Sequence, residues 1–456
     1  MIEERSKKVV IIGGGLTGLT LAYLLQRKGV DFILLEKDEK AGGVIRTHHH
    51  DGFTYEIGPN TGIIAHPEVA ELFEMLSPDC ELELADPKAE NRWILKNGKW
   101  HALPSGFLAA VKTPLFSWKD KFGILSEPFR KKGDDPMESI AGLVKRRLGQ
   151  SYLDYAVDPF ISGIYAGDPD SLITKYALPK LYALEQNYGS FIKGAVKKAR
   201  EPRSQRDRKA TRKVFSAKGG LGKLIAALVK NIPEERLVFS AKDIKIAKNG
   251  NEFTVGFKSS NDDLVKVQAE KVVTTTGAYT LTDLFDFIDP NQLLPVTKLN
   301  YAKVVQVIMA FRKWNGPVLN AFGGLVPTKE NRKILGVLFP SSIFQNRVPE
   351  DGALLSVFLG GVKKPEIYDM DDTTLLEFVN SEMTDLLHTN LSEPAFTEIH
   401  RYKHAIPQYD IASPQRLQRI HELEEQHPGL ILAGNIRDGI GIADRIKQAT
   451  EISKII

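Results

Sequence analysis

The chain of 456 residues contains a single cysteine, Cys80. One cysteine excludes an internal disulfide, a CxxC redox pair and a cysteine-ligated metal cluster. It also favours a reducing compartment, which predicts a cytoplasmic protein. None of the ten histidines stands in an HExxH or similar ligand spacing, so no metal site is predicted. The run His48 to His50 is interpreted as an exposed hairpin loop, with metal binding as the alternative.

A strong excess of charge of one sign and a long hydrophobic run are both missing. The net charge of +4 is too small to predict a nucleic-acid partner. The uncharged stretch from Val9 to Gln26 has 18 residues, but four of them are glycine and two are threonine. A spanning helix needs about 20 mainly apolar residues, and consecutive glycines destabilise a helix. The acidic Glu3 and Glu4 before this stretch argue against a secretory signal.

The same stretch instead predicts a strand, a glycine turn and a helix. Val9 to Ile12 form a short apolar run, and the spacing Gly13-x-Gly15-x-x-Gly18 follows it. In a dinucleotide fingerprint the first glycine permits the tight turn, the second lets a pyrophosphate approach the backbone, and the third lets helix and strand pack closely. The helix N-terminus then presents free N–H groups to the phosphates.

A second apolar run, Phe32 to Leu35, ends in the acidic residue Glu36. An acid about 20 residues after the glycine turn accepts hydrogen bonds from a ribose hydroxyl in this type of unit. The two runs and the helix between them therefore predict a nucleotide-binding βαβ unit.

The C-terminal part of the chain repeats the strand–turn–helix design. Leu430 to Ala433 predict a strand, Gly434-Asn435 a turn, and Gly439 and Gly441 the opening of a helix. A reduced flavin becomes anionic on its pyrimidine side, and a second helix N-terminus stabilises that charge. Because a nicotinamide has no such requirement, the sequence favours a flavin over a nicotinamide dinucleotide.

Together the segments GGGLTGL, LLEKDEKAGGVIRT, YEIGPN and LAGNIRDGIGIAD resemble the FAD-dependent amine oxidase and desaturase superfamily. Within it, the chain resembles the oxygen-dependent protoporphyrinogen and coproporphyrinogen oxidases. This closer likeness rests on residues 144–172, 215–224, 354–361 and 405–409. The segments follow the order of the family and extend over nearly the whole chain.

The resemblance implies an FAD-dependent enzyme of heme biosynthesis that oxidises protoporphyrinogen IX to protoporphyrin IX. Six electrons leave in three flavin cycles, with oxygen as acceptor, hydrogen peroxide as product and no essential side-chain acid or base. Coproporphyrinogen III oxidation is the alternative, and an amine oxidase or a carotenoid-type desaturase is more distant. The C-terminal turn lacks the aromatic wall of amine oxidases, and it lacks a cysteine, so non-covalent FAD is expected. Hand-over of product to a ferrochelatase is a further expectation.

The resemblance also implies site residues. For the substrate it implies Arg92, as a partner of a propionate, and Gly167, facing the pyrrole core. The residues implied for FAD are Gly13, Gly14, Gly15, Leu16, Thr17, Gly18, Glu36, Lys37, Val44, Gly58, Pro59, Asn60, Thr61, Val238, Asn435, Ile440, Gly441 and Ile442.

The implied fold class is α/β, with two or three domains for a chain of this length. A Rossmann-like, discontinuous FAD-binding domain is expected from residues 1–66, 214–285 and 425–456. A mixed-sheet substrate domain is expected from 67–89 and 286–424, and a mostly helical insertion from 90–210.

Two stretches of the expected helical insertion suit a membrane surface. Residues 193–213 are strongly basic, and the segment Phe107 to Phe122 mixes aromatic residues with lysines. Such compositions suit peripheral contact with an anionic membrane. For the basic stretch a solvated mobile loop is the default interpretation, and attraction to an anionic lipid or to an acidic substrate is the alternative. For the aromatic stretch a ligand-channel wall is an equal alternative.

Overall fold

The computed structural model describes residues 3–391 and 393–456, without the side chains of Glu3 and Phe107. The strands are β1 (Glu3–Ile12), β2 (Phe32–Leu35), β3 (Arg46–His50), β4 (Phe53–Ile57), β5 (Gly62–Ile63), β6 (Leu82–Leu84), β7 (Arg92–Lys96), β8 (Lys99–Ala102), β9 (Val214–Ala217), β10 (Leu237–Val238), β11 (Lys242–Asn249), β12 (Glu252–Lys258), β13 (Leu264–Thr274), β14 (Tyr301–Phe311), β15 (Gly323–Leu325), β16 (Ile334–Leu338), β17 (Ala353–Gly360), β18 (Phe396–Pro407) and β19 (Leu430–Leu432).

The helices connect these strands and cover their faces. They are α1 (Leu16–Arg27), α2 (Pro67–Leu76), α3 (Phe107–Lys112), α4 (Trp118–Gly123), α5 (Ile140–Arg147), α6 (Gln150–Tyr152), α7 (Asp158–Tyr165), α8 (Thr174–Ala177), α9 (Pro179–Tyr188), α10 (Phe191–Arg200), α11 (Gln205–Arg208), α12 (Gly222–Lys230), α13 (Leu281–Leu284), α14 (Pro290–Thr297), α15 (Pro340–Ile343), α16 (Asp372–Leu387), α17 (Ser413–Gln426) and α18 (Ile442–Ile455).

The first large sheet has the strand order β10-β2-β1-β13-β12-β11, and β19 also pairs with β13. Strands β10, β2, β1, β13 and β19 run parallel, whereas β12 and β11 add an antiparallel edge. Val9 and Ile11 pack into a core with α1, α2, α12 and α18. Val10 and Ile12 pack into the opposite core with α13, α14 and α17. Because both faces of the sheet are covered by helices, the apolar run of β1 has no polar alternation.

The second large sheet has the order β18-β14-β17-β16-β15-β7-β8 and is mixed, since β7 and β15 run parallel and the other pairs antiparallel. Helix α16 covers one face through Leu375, Val379 and Met383, which pack with alternate residues of β14 and β17. The opposite face packs on β4 through Ile308, Ala310 and Leu354. These two sheets confirm the predicted α/β class, with a Rossmann-like part and a mixed-sheet part.

Two segments pack with a different part of the structure from the one to which the expected domain bounds assign them. Strands β7 and β8 fall inside the expected helical insertion but complete the edge of the second sheet, because Trp93 and Leu95 alternate toward its core. Helix α2 falls inside the expected substrate domain but packs on the first sheet through Val69, Leu72 and Phe73. The division of the chain at the expected bounds otherwise stays a prediction.

The run His48 to His50 is strand, which corrects the expected loop. It forms the end of β3, which pairs with β4 in a hairpin, and the turn falls at Asp51 and Gly52 instead. Both turn residues have positive φ, which aspartate tolerates and glycine favours. The three histidines therefore pair with β4, and Asp51 and Gly52 form the turn.

The basic stretch 193–213 is also more ordered than a connecting loop. It contains most of α10 and all of α11. Arg206 forms ion pairs with Glu68 and Glu71 on α2, and Lys209 pairs with Glu74. Part of its charge is therefore neutralised within the protein.

Candidate active site

The parallel strands of the first sheet end at one edge, and the predicted nucleotide residues gather there. Gly13 follows β1, Glu36 follows β2, and Thr275 follows β13. The turn after β19, residues 434–441, lies at the same edge because the Ala433 N–H bonds the Thr274 carbonyl. Ligands of open α/β sheets bind outside the carboxyl ends of the strands. This edge is therefore the candidate cofactor site.

Each glycine of the first turn meets the requirement expected of it. Gly13 has a φ of +107°, which an L side chain rarely adopts. A Cβ added at Gly18 would lie 2.0 Å from the Gly13 carbonyl oxygen, so only glycine allows α1 to pack this closely on β1. A Cβ added at Gly15 would meet nothing within 4 Å. The Gly15 backbone, just before α1, is thus open to an approaching phosphate.

Glu36 is buried and tied to the glycine turn. One carboxylate oxygen accepts the Gly14 N–H at 2.5 Å, and the other accepts the Asp38 N–H at 2.9 Å. The Glu36 N–H in turn bonds the carbonyl of Val238 at 2.8 Å. Carboxylate oxygens keep further lone pairs for a ribose hydroxyl. The neighbouring Lys37 is exposed.

The segment around Val44 closes over the glycine turn. The Gly42 N–H bonds the Gly14 carbonyl at 2.8 Å. A Cβ at Gly58 would lie 2.2 Å from the Val44 carbonyl oxygen. The Val44 side chain is 57% exposed, so it is available for contact with a cofactor.

The residues after Gly58 form a second wall. The buried amide of Asn60 donates to the Gly58 carbonyl at 3.0 Å, and its Oδ1 has no partner within the described residues. Pro59 and Thr61 beside it are half-buried. A cofactor N–H or O–H would satisfy the unpaired acceptor of Asn60.

The C-terminal turn is held by side chains on both of its sides. Gly434 has a φ of +90°, and its N–H bonds Gln448 Oε1 at 2.9 Å. The Tyr409 hydroxyl accepts the Gly439 N–H at 3.0 Å. Asp444 accepts the Gly441 N–H at 3.0 Å. The predicted residues Asn435, Ile440 and Gly441 are half-buried on this turn, and Ile442, at the start of α18, is buried.

His66 connects the start of α2 to the start of α18. Its Nε2 lies 3.1 Å from Asp444 Oδ1. Burial raises the pKa of Asp444, but the hydrogen bonds from His66 and Gly441 outweigh it and hold the pKa below its usual range.

Gln306 joins the second sheet to the cofactor edge. Its Oε1 accepts the Gly58 N–H at 2.9 Å, and its Nε2 donates to the Glu56 carbonyl at 3.0 Å and to Ser356 Oγ at 2.9 Å. Gln306 is fully buried in an otherwise apolar strand. The face of the second sheet that bears Gln306 therefore borders the cofactor segment.

Arg92 lies on the same face as Gln306. Arg92 is opposite Gly323 on β15, Gly323 is opposite Leu338 on β16, and Leu338 is opposite Ser356 on β17. The Ser356 hydroxyl accepts a hydrogen bond from Gln306. The guanidinium group stacks over the Phe322 ring at 5.2 Å and has no ion pair within the described residues. Burial lowers the pKa of Arg92, and Glu90 only partly offsets this. A half-buried guanidinium without a partner suits a carboxylate ligand.

Gly167 packs against this face from the helical side. A Cβ at Gly167 would lie 2.7 Å from Oε1 of the buried Gln408. The preceding Ala166 contacts Val304 and Phe358 of the second sheet. The structure thus brings the segments around Gly167 and Gln408 together, and Arg92 and Gly167 border the same sheet face.

Sequence reasoning missed the residues that join these segments. Thr275 Oγ1 donates to the Gly13 carbonyl at 3.0 Å. The sequence feature that could have indicated Thr275 is the apolar strand that ends in three threonines before Gly277. Gln306 was signalled by its polarity within the run Tyr301 to Phe311. The contact between His66 and Asp444 joins residues 378 positions apart, which no local pattern indicates.

The comparisons with known proteins agree with this geometry. The family model described as flavin containing amine oxidoreductase matches residues 16–443. The chain belongs to this family. As a member, it is an FAD-dependent oxidoreductase. The glycine turn, Glu36 and the unpaired Asn60 oxygen are the candidate donors and acceptors for such a cofactor.

Relatives that match nearly the whole chain are named as porphyrinogen oxidases. Protoporphyrinogen oxidase 2 of Arabidopsis thaliana is 29% identical, with 99% of this chain and 94% of the relative covered. Coproporphyrinogen III oxidase of Bacillus subtilis (strain 168) is 25% identical, with 98% and 97% covered. These matches confirm the resemblance drawn from the motifs.

Solved structures support the same fold. A crystal structure from Exiguobacterium sp. 255-15, described as a candidate protoporphyrinogen oxidase, has a TM-score of 0.81 at 23% identity and covers 98% of both chains. Putrescine oxidase bound to putrescine has a TM-score of 0.70 at 12% identity, with 99% of both chains covered. At these identities the likeness concerns the fold alone.

Gly15→Val is expected to abolish flavin binding while the fold is kept. The new side chain meets no protein atom near its Cβ, but it occupies the approach to the glycine turn. The measurement is flavin content per folded chain, by absorbance and circular dichroism. Gly18→Ala is the contrasting variant, because its Cβ collides with the Gly13 carbonyl and should lower the unfolding temperature. A folded Gly15→Val protein with stoichiometric flavin would contradict the assignment of the fingerprint.

Proposed function

We propose that this flavoenzyme oxidises protoporphyrinogen IX to protoporphyrin IX, with oxygen as the electron acceptor. The observation that carries the proposal is Arg92, whose half-buried guanidinium lies on the sheet face that borders the cofactor segment and forms no ion pair with the residues that the structure describes. The names of the relatives support a porphyrinogen substrate for this family branch.

The choice between protoporphyrinogen, with two propionates, and coproporphyrinogen, with four, depends on how many cations near Arg92 are available to bind them. Lys96 is engaged by the protein itself, since its Nζ donates to the carbonyls of Pro114 and Leu115 and lies 4.6 Å from the Tyr155 ring centre. Arg92 is thus the cation of strand β7 that remains available. One strong carboxylate partner on this strand fits the two propionates of protoporphyrinogen better than four propionates.

The residues of this chain bind and orient the substrate. The glycine turn and Glu36 would hold the flavin, which would supply two-electron oxidation of the porphyrinogen with oxygen as acceptor and peroxide as product, over three cycles. Arg92 fixes a propionate by charged hydrogen bonds. Gly167 would border the macrocycle and favour a fixed position of the reacting carbon. The proposal uses no side-chain acid or base.

Arg92→Ala is expected to weaken porphyrinogen binding by about 1–3 kcal/mol, the range for losing a charged hydrogen-bond partner. Flavin content should stay unchanged, because Arg92 lies on the second sheet. The measurement is kcat/KM on protoporphyrinogen and on coproporphyrinogen, followed by porphyrin fluorescence. Lys99→Ala, which removes an exposed charge on the adjacent strand β8, serves as the control. A wild type clearly faster on coproporphyrinogen would overturn the choice of substrate, and an unchanged KM in Arg92→Ala would remove this residue from the site.

We further propose that the FAD is held without a covalent bond. Cys80 lies in the core between α2 and the first sheet, with only 3% of its surface exposed. Burial and the neighbouring Glu81 raise the pKa of its thiol to about 11, so the reactive thiolate is scarce at neutral pH.

The purified protein is therefore expected to be yellow and to release its flavin on denaturation. The measurement is the flavin absorbance in the filtrate after acid or heat precipitation. Flavin that stays with the precipitated chain would contradict non-covalent binding. Cys80→Ser is the control, and it should not alter the amount released.

We also propose peripheral contact with an anionic membrane. No helix among the described residues is long and apolar enough to cross a bilayer. An apolar patch, however, lies on the helical part, and its members are more than half exposed: Leu108, Trp118, Phe122, Leu125 and Phe129. Lys121 and Lys193 lie over the rings of Trp118 and Phe129. Aromatic residues flanked by lysines suit the interface of an anionic bilayer.

Sedimentation with anionic vesicles is expected at low salt and should be lost at high salt. Replacing Phe122 and Phe129 together by alanine should reduce the bound fraction at low salt, because both side chains enter the interface in this proposal. Val318→Ala, which truncates an exposed side chain outside the patch (79% exposed), is the matched control. Binding that resists high salt and needs detergent for release would contradict the electrostatic contribution.

A further inference from the structure

Two buried arginines, Arg416 and Arg445, flank the turn of residues 434–441. Only 1% and 8% of their surfaces are exposed, and the Nε atom of each lacks a partner in the described residues. Within residues 3–391 and 393–456, neither guanidinium has a carboxylate at ion-pair distance, and Asp410 and Asp444 act on them only from farther away. A buried cation without a carboxylate is rare and costly.

Arg445 is bound directly to the turn. Its guanidinium donates to the carbonyls of Arg437 and Gly439, each at 2.9 Å, and to Gln448 Oε1 at 2.9 Å. The same oxygen of Gln448 accepts the Gly434 N–H. These bonds tie the guanidinium to both ends of the turn, and they involve neutral acceptors only.

Arg416 contacts Tyr409, which itself binds the turn of residues 434–441. Its guanidinium lies 5.3 Å from the centre of the Tyr409 ring and donates to Ser413 Oγ at 3.1 Å. The hydroxyl of that tyrosine accepts the Gly439 N–H. Arg445 therefore contacts Gly439 directly, and Arg416 is linked to it through Tyr409.

Helix dipoles add to this charge. Arg416 lies in the first turn of α17, and Arg445 lies in the first turn of α18. The N-terminus of a helix carries partial positive charge, which disfavours a cation and favours an anion. The positions of the two arginines are thus unfavourable for the protein alone and favourable for an anionic ligand.

The carboxylates around the turn are engaged by other groups. Glu424 and Asp438 both pair with Arg437. Asp444 pairs with His66. The two buried guanidinium groups are therefore not neutralised by the acids nearest to the turn.

We propose that Arg416 and Arg445 are positioning residues whose buried charge favours the reduced, anionic form of the flavin at the C-terminal turn. A hydride adds two electrons and one proton to the oxidised flavin, which leaves the reduced ring system with one negative charge. Two uncompensated cations beside the turn lower the free energy of that anion relative to the neutral oxidised form. The proposal rests on the flavin cofactor and not on the identity of the substrate.

The test is the two-electron reduction equilibrium of the FAD-loaded protein, titrated against a reference dye without any porphyrinogen. Arg416→Met keeps the length and removes the charge, and it is expected to shift the equilibrium toward the oxidised form about tenfold, which is about 30 mV for a two-electron couple. Arg416→Lys keeps the charge and should retain most of the wild-type potential. Arg419→Met, on the same helix but paired with Glu422 at the surface, should change nothing.

A second pair of variants keeps the proposal testable if the Arg416 variants fail to fold. Arg445→Met is expected to lower the potential by a similar amount, and Arg445→Lys should restore it. Lys447→Met on the same helix is the control. The unfolding temperature of the apoprotein reports the loss of the hydrogen bonds that Arg445 makes to the turn, because an unpaired buried acceptor costs free energy, and the potential reports the charge. An unchanged potential in folded, flavin-loaded Arg416→Met and Arg445→Met proteins would overturn the proposal, and equal losses in the lysine variants would assign these arginines a structural role instead.

Discussion

The contact between helix α1 and strand β1 determines the geometry of the whole cofactor edge. Gly18 lies so close to the Gly13 carbonyl that a Cβ there would stand 2.0 Å from the oxygen. Through this contact the N-terminus of α1 points at the edge where the parallel strands end. Thr275 and Glu36 then bind the same turn from the two neighbouring strands. The remaining segments of the site attach to this turn directly or through one another.

The parts of the site that sequence predicted are the local ones. The glycine turn, Glu36 and the C-terminal turn each depend on residues adjacent in the chain, so composition and spacing indicate them. The contacts that assemble the site are long-range. Gln306 meets Gly58 from 248 positions away, and no periodicity links the two residues.

The edge strands and the histidine run show a different reason for a wrong expectation. Strands β7 and β8 are short, and only the pairing of β7 with β15, more than 200 residues later, shows that this hairpin completes a sheet. Three consecutive polar histidines do not distinguish an exposed strand from a loop. Their hairpin lies at the surface, where strand residues are free to be polar, and the positive φ values of Asp51 and Gly52 place the turn beyond them.

The charge of Glu56, a residue at the cofactor edge, depends on pH. Its carboxylate is buried between Thr47 Oγ1 and the Leu221 N–H, each at 2.7 Å. Burial raises the pKa from 4.5 to about 7, although these hydrogen bonds and Arg347 oppose the shift. The folded chain therefore holds a proton between these pH values that the unfolded chain releases. The stabilisation from this group is complete below pH 4.5, and it is lost as the pH rises through about 7. Near neutrality a negative charge thus appears two residues before Gly58, so the charge of this wall of the cofactor site depends on pH in the physiological range.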